Sequence, residues 1–220
     1  MTWSDSVDLY CERLGPGLGA EPLNALSNLG FILAGLFLLR RAMRRGEPAA
    51  VQVLSVLLIL IGLGSAALHT FATRWAELLD VAFIGVYIYW FVACYSRYRW
   101  ASPWWLALLS IALFHGFSAL VMAPFEPTDF NGSVGYLPAL AGLLIFGALS
   151  SWKNGFARAH CFFLAAAVFS VSLLLRTLDP ELCTRWPYGT HWAWHLLNAL
   201  TLTLTTLSIS QSAGLQRSRL

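Results

Sequence analysis

Three histidines stand at the ends of apolar stretches: His69, His191 and His195. His191 and His195 are four residues apart, which on a helix puts both rings on one face, separated by about 6 Å along the axis. That is a workable bite for one metal ion, with His69 supplying a third ligand from another segment. Three imidazoles and one open position are the usual way to hold a catalytic zinc. Ser65 lies one helical turn before His69, and Asp80 follows downstream. A hydroxyl and a carboxylate are the remaining parts that metal-assisted hydrolysis needs, an oxyanion donor and a proton acceptor. Each residue also has a plainer reading. The histidine pair, next to Trp192 and Trp194, could simply touch interfacial water. Ser65 could be a small packing residue like Gly62 and Gly64 beside it, and Asp80 an exposed helix N-cap together with Glu77.

The segments that must position these groups are membrane-like. Of the 220 residues, 58% are hydrophobic and 11% charged. A soluble domain carries about 25% charged residues, so the composition predicts an integral, multi-pass membrane protein. Seven stretches reach the roughly 20 residues a helix needs to cross a hydrocarbon core. They lie near 22–42, 51–69, 78–96, 103–123, 134–151, 158–177 and 190–210. The expected fold is an all-α bundle of seven transmembrane helices. It divides into an extracytoplasmic N-terminal segment (1–21), the membrane domain (22–210) and a short cytoplasmic tail (211–220). The first 21 residues carry Asp5, Asp8, Glu12 and Glu21 and no apolar run, so no cleavable signal peptide is expected. The net charge of +3 is too small and too scattered to suggest nucleic acid. Nothing in the sequence points to a protein partner.

Basic residues set the expected orientation. With the N-terminus outside, the cytoplasmic stretches hold Arg40, Arg41, Arg44, Arg45, Arg97, Arg99, Lys153, Arg158, Arg217 and Arg219, ten of the 14 Lys and Arg. Arg13, Arg74, Arg176 and Arg185 fall on the other side. Positive-inside bias therefore predicts N-out and C-in. That topology carries His69, Asp80, His191, His195 and the acidic N-terminal segment to one face of the membrane, the extracytoplasmic one (periplasmic or lumenal). His160 falls on the opposite side and is excluded as a ligand, and His115 reads as a hydrogen-bonded core histidine. Cys11 and Cys183 share the outer side and could form a bridge. The alternative is four unpaired packing cysteines, with Cys94 and Cys161 on the reducing side.

Taken together, Ser65-x-x-x-His69, Glu77-Leu78-Leu79-Asp80 and His191-Trp192-Ala193-Trp194-His195 resemble the alkaline ceramidase family. So do Tyr10-Cys11-Glu12, Glu21-Pro22-Leu23-Asn24 and Ser27-Asn28. The similarity runs from about Asp8 to the end of the seventh stretch. The family belongs to a superfamily of seven-helix membrane hydrolases that includes the adiponectin receptors and hemolysin-III-like proteins. The resemblance implies a zinc on His69, His191 and His195, with Asp80 activating water and Ser65 supporting the oxyanion. It also implies a Cys11–Cys183 disulfide and cleavage of a ceramide-like lipid, with membrane lipids as surroundings. A calcium ion is implied near Asp8, Tyr10, Glu12 and Glu21, although Leu9 and Leu14 stand where the family has an acid and an amide. Two rival readings use the same histidines: a zinc hydrolase of another acyl lipid such as a phospholipid ester, and a seven-helix receptor or binding protein whose zinc is structural.

Overall fold

The computed structural model describes residues 2–15 and 17–217, with the side chains of residues 154, 158 and 211–217 left aside. Arg219 and the end of the expected tail lie outside the described residues. The described chain is helical apart from one isolated bridge between Ser6 and Thr73. A short α1 (Pro22–Ser27) leads into α2 (Leu29–Arg44), followed by α3 (Ala49–Phe71), α4 (Arg74–Arg99) and α5 (Trp104–Met122). After the one-turn α6 (Asp129–Gly132) and a 3-10 turn come α7 (Leu137–Asn154), α8 (Phe156–Leu182) and α9 (His191–Arg217).

Among the described residues, six helical stretches are long and apolar enough to cross a membrane. They include the combined α1–α2 stretch and the stretch from α6 through α7. The 27-residue α9 is not one of them. Its second half alternates leucines with Thr201, Thr203, Thr205, Thr206, Ser208 and Ser210, which lowers its hydropathy. Thr201, Thr205, Thr206, Ser208 and Ser210 are all buried. They can be polar because α9 packs against α2, α3, α4 and α8 and turns these groups inward. The remaining helices complete the ring through contacts of α2 with α3, α3 with α4, α4 with α5, α5 with α7 and α7 with α8. Large apolar residues such as Leu33, Phe37, Leu63, Val81, Leu113 and Leu120 point outward, as lipid-facing positions do. The core is built from Phe31, Leu54, Leu58, Tyr87, Phe162 and Phe169 among others.

Several boundaries differ from the sequence expectation. α4 starts at Arg74, so Asp80 sits nearly two turns inside the helix and the N-cap position belongs to Thr73. α8 runs on through Pro180 to Leu182, past the end of the expected 158–177 stretch. α9 continues through Arg217, so the first residues of the expected 211–220 tail are helical. His115 does hydrogen-bond, to the Tyr89 hydroxyl at 2.8 Å, but it is exposed on the outside of α5 and is not a core residue.

Two glycines on α3 set its approach to its neighbours. A Cβ at Gly62 would come within 2.7 Å of Ile32 on α2, and one at Gly64 within 2.9 Å of Phe83 on α4. Small residues here let the backbones close up, which brings Ser65 and His69 beside Asp80. The N-terminal segment is tied to the α3–α4 corner by backbone bonds from Val7 N–H to Ala72 C=O (2.8 Å) and Arg74 N–H to Asp5 C=O (3.2 Å). The disulfide Cys11–Cys183 fastens the same segment to the end of α8, with Cα atoms 5.0 Å apart. Cys94 and Cys161 are free thiols.

Candidate metal centre

α3 and α9 deliver the three histidines to one end of the bundle. All three are buried, and their candidate ligand nitrogens lie within 4.8 Å of one another. The Nε2 atoms of His69 and His195 are 3.2 Å apart. Tetrahedral coordination with Zn–N bonds of about 2.0–2.1 Å sets neighbouring nitrogens about 3.3 Å apart.

The hydrogen bonds behind the rings decide which nitrogen is bare. His69 Nδ1 lies 2.5 Å from Glu21 Oε2. A carboxylate can only accept, so His69 carries its proton on Nδ1. His195 Nδ1 lies 2.7 Å from Ser27 Oγ, and that hydroxyl donates its own hydrogen to Asn24 C=O at 2.8 Å. Ser27 must therefore accept from His195, which places the His195 proton on Nδ1 as well. Both Nε2 atoms are then lone pairs facing each other across 3.2 Å inside the protein. Two bare lone pairs at that distance repel unless a cation lies between them. His191 adds a buried Nδ1 with no hydrogen-bond partner among the described residues. The donor set thus fits a divalent metal that prefers nitrogen, and zinc fits it well. The outer hydrogen bonds are of the type that orients metal-ligating histidines.

The first turn of α9 is held by a residue that lies between the expected sixth and seventh stretches. Asp179 is buried, and its Oδ1 accepts from the backbone N–H groups of Thr190 (2.6 Å) and His191 (3.0 Å) while Oδ2 accepts from Cys11 N–H (3.1 Å). It caps α9 from outside and fixes the height at which His191 enters the site. Gly189, with φ +60, makes room for it: a Cβ there would meet Asp179 Oδ1 at 2.1 Å. The Tyr10 ring stacks on His191 with centroids 3.7 Å apart and lies 5.2 Å from His69, roofing the histidines. Burial pushes the Tyr10 phenol up, so it stays protonated.

Ser65 Oγ lies 3.4 Å from His195 Nε2. Asp80, partly buried on α4, faces the Ser65 hydroxyl and the His69 ring. The open side of the histidine cluster therefore carries both a hydroxyl and a carboxylate. An apolar cavity begins one turn deeper, at Ile84 on α4 and Asn198 on α9, and runs inward between the helices.

The residues expected to hold calcium are committed elsewhere. Glu12 is buried and caps α1, accepting from the N–H groups of Leu23 (2.7 Å) and Asn24 (2.8 Å). Glu21 accepts from His69, from Asn24 Nδ2 (3.0 Å) and from Arg13 Nε (2.5 Å). Burial raises the Glu21 pKa, but the hydrogen bond from His69, with those from Asn24 and Arg13, outweighs it and holds the carboxyl below its ordinary range. Tyr10 C=O accepts from Arg13 N–H (3.2 Å), and Asp8 is exposed. Calcium needs six to eight free oxygen ligands, and this arrangement does not offer them. A guanidinium stands in the neighbourhood instead: Arg13 also donates to the carbonyls of Gly15 and Gly17 (3.4 Å each) and His69 (3.1 Å).

Sequence reasoning missed Arg13, Ser27 and Asp179 as parts of this centre. The spacing of Asn24, Ser27 and Asn28, polar positions on one face at the start of an apolar helix, was the available signal for Ser27. Asp179 left no comparable signal, because its partners are backbone groups, and Arg13 joins this centre only through the folded contacts of its guanidinium with Glu21 and the His69 carbonyl.

No curated protein matches the chain. The Ceramidase family does match, over residues 16–217, a span that contains His69, Asp80, His191 and His195 and leaves out the Tyr10-Cys11-Glu12 run. That coverage extends over most of the chain, and the protein therefore belongs to the ceramidase family.

Proposed function

We propose that this protein is a zinc-dependent amidase of the membrane, hydrolysing ceramide-like N-acyl sphingoid lipids to a sphingoid base and a fatty acid. The observation that carries this reading is the pair of converging Nε2 lone pairs with Ser65 and Asp80 on their open side. His69, His191 and His195 would hold a zinc, which when bound would acidify a water and polarise a carbonyl. The chain's own residues do the rest. Asp80 accepts the proton of the attacking water and returns it to the amide nitrogen as the C–N bond breaks and the new C–O bond forms. Ser65 donates to the oxygen that gains charge, a contribution typically worth about 3–4 kcal/mol. Glu21 and Ser27 hold the histidine rings in the tautomer that leaves Nε2 free. The apolar cavity beyond Ile84 receives a lipid chain. A closed structural zinc site would need neither Ser65 nor Asp80, which favours an enzyme over a receptor.

The same reading places the protein in the membrane with seven spans, N-out and C-in, and the site on the extracytoplasmic side. It rests on the ten-to-four distribution of basic residues. Reporter fusions at Gly46 and at the C-terminus should read cytoplasmic, and one near Asp129 external.

The decisive experiment incubates purified protein with a panel of N-acyl and O-acyl lipids, follows fatty acid release, and measures zinc by elemental analysis. Fatty acid release from an N-acyl sphingoid lipid, with zinc near one per chain and lost in His69→Ala, His191→Ala and His195→Ala, is expected. Zinc without acyl hydrolysis on any lipid would instead assign the metal a structural role.

A further inference from the structure

The cavity beneath the metal centre has a wall of apolar side chains, Ile84, Phe91, Leu143 and Phe169 among them, but α9 turns a polar edge into it through Asn198, Thr201 and Thr205. The two threonines are already occupied. Thr201 Oγ1 donates to Leu197 C=O at 3.0 Å, and Thr205 Oγ1 donates to Leu202 C=O at 2.9 Å. The Tyr87 hydroxyl at the same wall is likewise taken up by Leu202 C=O and by the hydroxyls of Thr205 and Thr206. Asn198 differs. The residue is only 3% exposed, lines the cavity, and makes no side-chain hydrogen bond among the described residues. An amide offers two donors and an acceptor, and leaving all of them unmet in an apolar wall is costly. Native proteins keep such groups when a ligand or an ordered water completes them.

The position of Asn198 says what that ligand group would be. It follows His195 by three residues on the same helix, so it lies about 4.5 Å deeper along the axis on nearly the same face. A lipid whose scissile carbonyl sits against His195 and Ser65 would pass its nearest chain carbons over Asn198. The neutral group on a lipid chain that can both donate to and accept from an amide is a hydroxyl. We infer that Asn198 is a specificity-determining residue that recognises a hydroxyl within the first few carbons of the scissile amide. This inference rests on the function proposed above. The hydroxyl can belong to the acyl chain or to the long-chain base, and the experiment separates the two.

The test compares kcat/KM for two matched pairs of N-acyl sphingoid lipids. One pair differs only by a 2-hydroxyl on the acyl chain, the other only by the 3-hydroxyl of the base. Wild-type protein should favour the hydroxylated member of one pair by about 10-fold or more, since a site built to bond a hydroxyl is left unpaired by the analogue lacking it. In Asn198→Leu that preference should vanish, while zinc content is kept. The pair that responds identifies which chain carries the hydroxyl. No preference in either pair, or a variant that changes both members of each pair by the same factor, overturns the inference and leaves Asn198 to a bound water. A second arm does not depend on hydrolysis. Matched products, 2-hydroxy against plain fatty acid and hydroxylated against deoxygenated base, are added to wild-type and variant protein and their thermal shifts compared. A larger shift for a hydroxylated product in wild type alone supports the inference, and equal shifts sink it. If wild-type protein cleaves no N-acyl lipid, the proposed function fails on that result, and the product arm still decides the role of Asn198.

Discussion

Glu21→Gln tests the metal centre at its support. Glu21 Oε1 takes the Arg13 Nε–H, and Oε2 takes both Asn24 Nδ2 and His69 Nδ1. A glutamine keeps one oxygen and replaces the other with a donor. Its better rotamer keeps the oxygen toward His69 and Asn24, which turns the new NH2 against the Arg13 donor. Two separate losses follow. His69 retains an acceptor, but a neutral one, and hydrogen bonds to charged groups are roughly twice as strong. Loss of this kind of outer partner typically lowers metal affinity by about 10–100-fold, equivalent to about 1.4–2.7 kcal/mol. Arg13 loses its ion partner while its side chain is only 7% exposed, and stranding a buried charge costs about 3–5 kcal/mol of stability. Competition with a chelator of known zinc affinity measures the first loss, and resistance to heat in detergent measures the second. Pairing the change with Arg13→Leu separates them, because removing both charges relieves the stranded cation and leaves His69 with its weaker partner. The double variant should recover heat resistance and keep the weakened zinc affinity. Unchanged zinc affinity in Glu21→Gln would refute the orienting role. Full recovery of zinc binding in the double variant would refute it too, by assigning the loss to Arg13.

Four further outcomes follow from the same contacts. Asp80→Asn should keep zinc and lose hydrolysis, since an amide cannot accept the proton, and Ser65→Ala should keep zinc and slow turnover by about 100-fold or more; parallel loss of zinc in either would make it a structural residue. Cys183→Ser should lower heat resistance and activity together, because the bridge spans 172 residues and holds the segment that carries Tyr10 and Glu12. Chain entropy credits such a loop with about 5 kcal/mol, an upper figure for a chain already in a membrane, and free, alkylatable Cys11 and Cys183 thiols in protein from its native membrane would contradict the bridge. Calcium-selective chelation should leave heat resistance and zinc content untouched, because Glu12 is spent on α1 and Glu21 on Arg13 and His69; a fall in either measure restored by calcium would reverse that reading. Gly189→Ala should reduce zinc binding by displacing Asp179, whose Oδ1 would lie 2.1 Å from the new Cβ, and wild-type zinc affinity there would mean that the α9 cap is dispensable.

Much of the fold was legible because lipid imposes long apolar stretches that cannot be hidden in a sequence. The outliers within those stretches were legible for the same reason. An imidazole or carboxylate in an apolar segment stands out, and the four-residue step from His191 to His195 fixes their shared face whatever surrounds them. The seventh helix shows where that logic thins. α9 is the least membrane-like of the long helices, and its threonines and serines make sense only once its inward faces against α2, α3, α4 and α8 are seen.

What the sequence determined by itself was therefore local: helical stretches, the histidines' helical spacing, and the presence of a hydroxyl and a carboxylate one turn or a short corner away. The tertiary structure alone decided how those groups are held. Glu21 reads in sequence as one acid in an exposed acidic segment, yet folding buries it between Arg13 and His69 and sets a tautomer. Asp179 reads as the end of a helix before a proline, yet it reaches across the loop to cap α9 and catch Cys11. Glu12 reads as one more acid of the N-terminal segment, yet it caps α1 for the same kind of reason. These bonds join groups from 8 to 168 residues apart, often to bare backbone N–H and C=O, which every residue type carries alike. Side-chain chemistry is written in the residue letter, but a backbone partner has no letter of its own, so only the folded chain could name it.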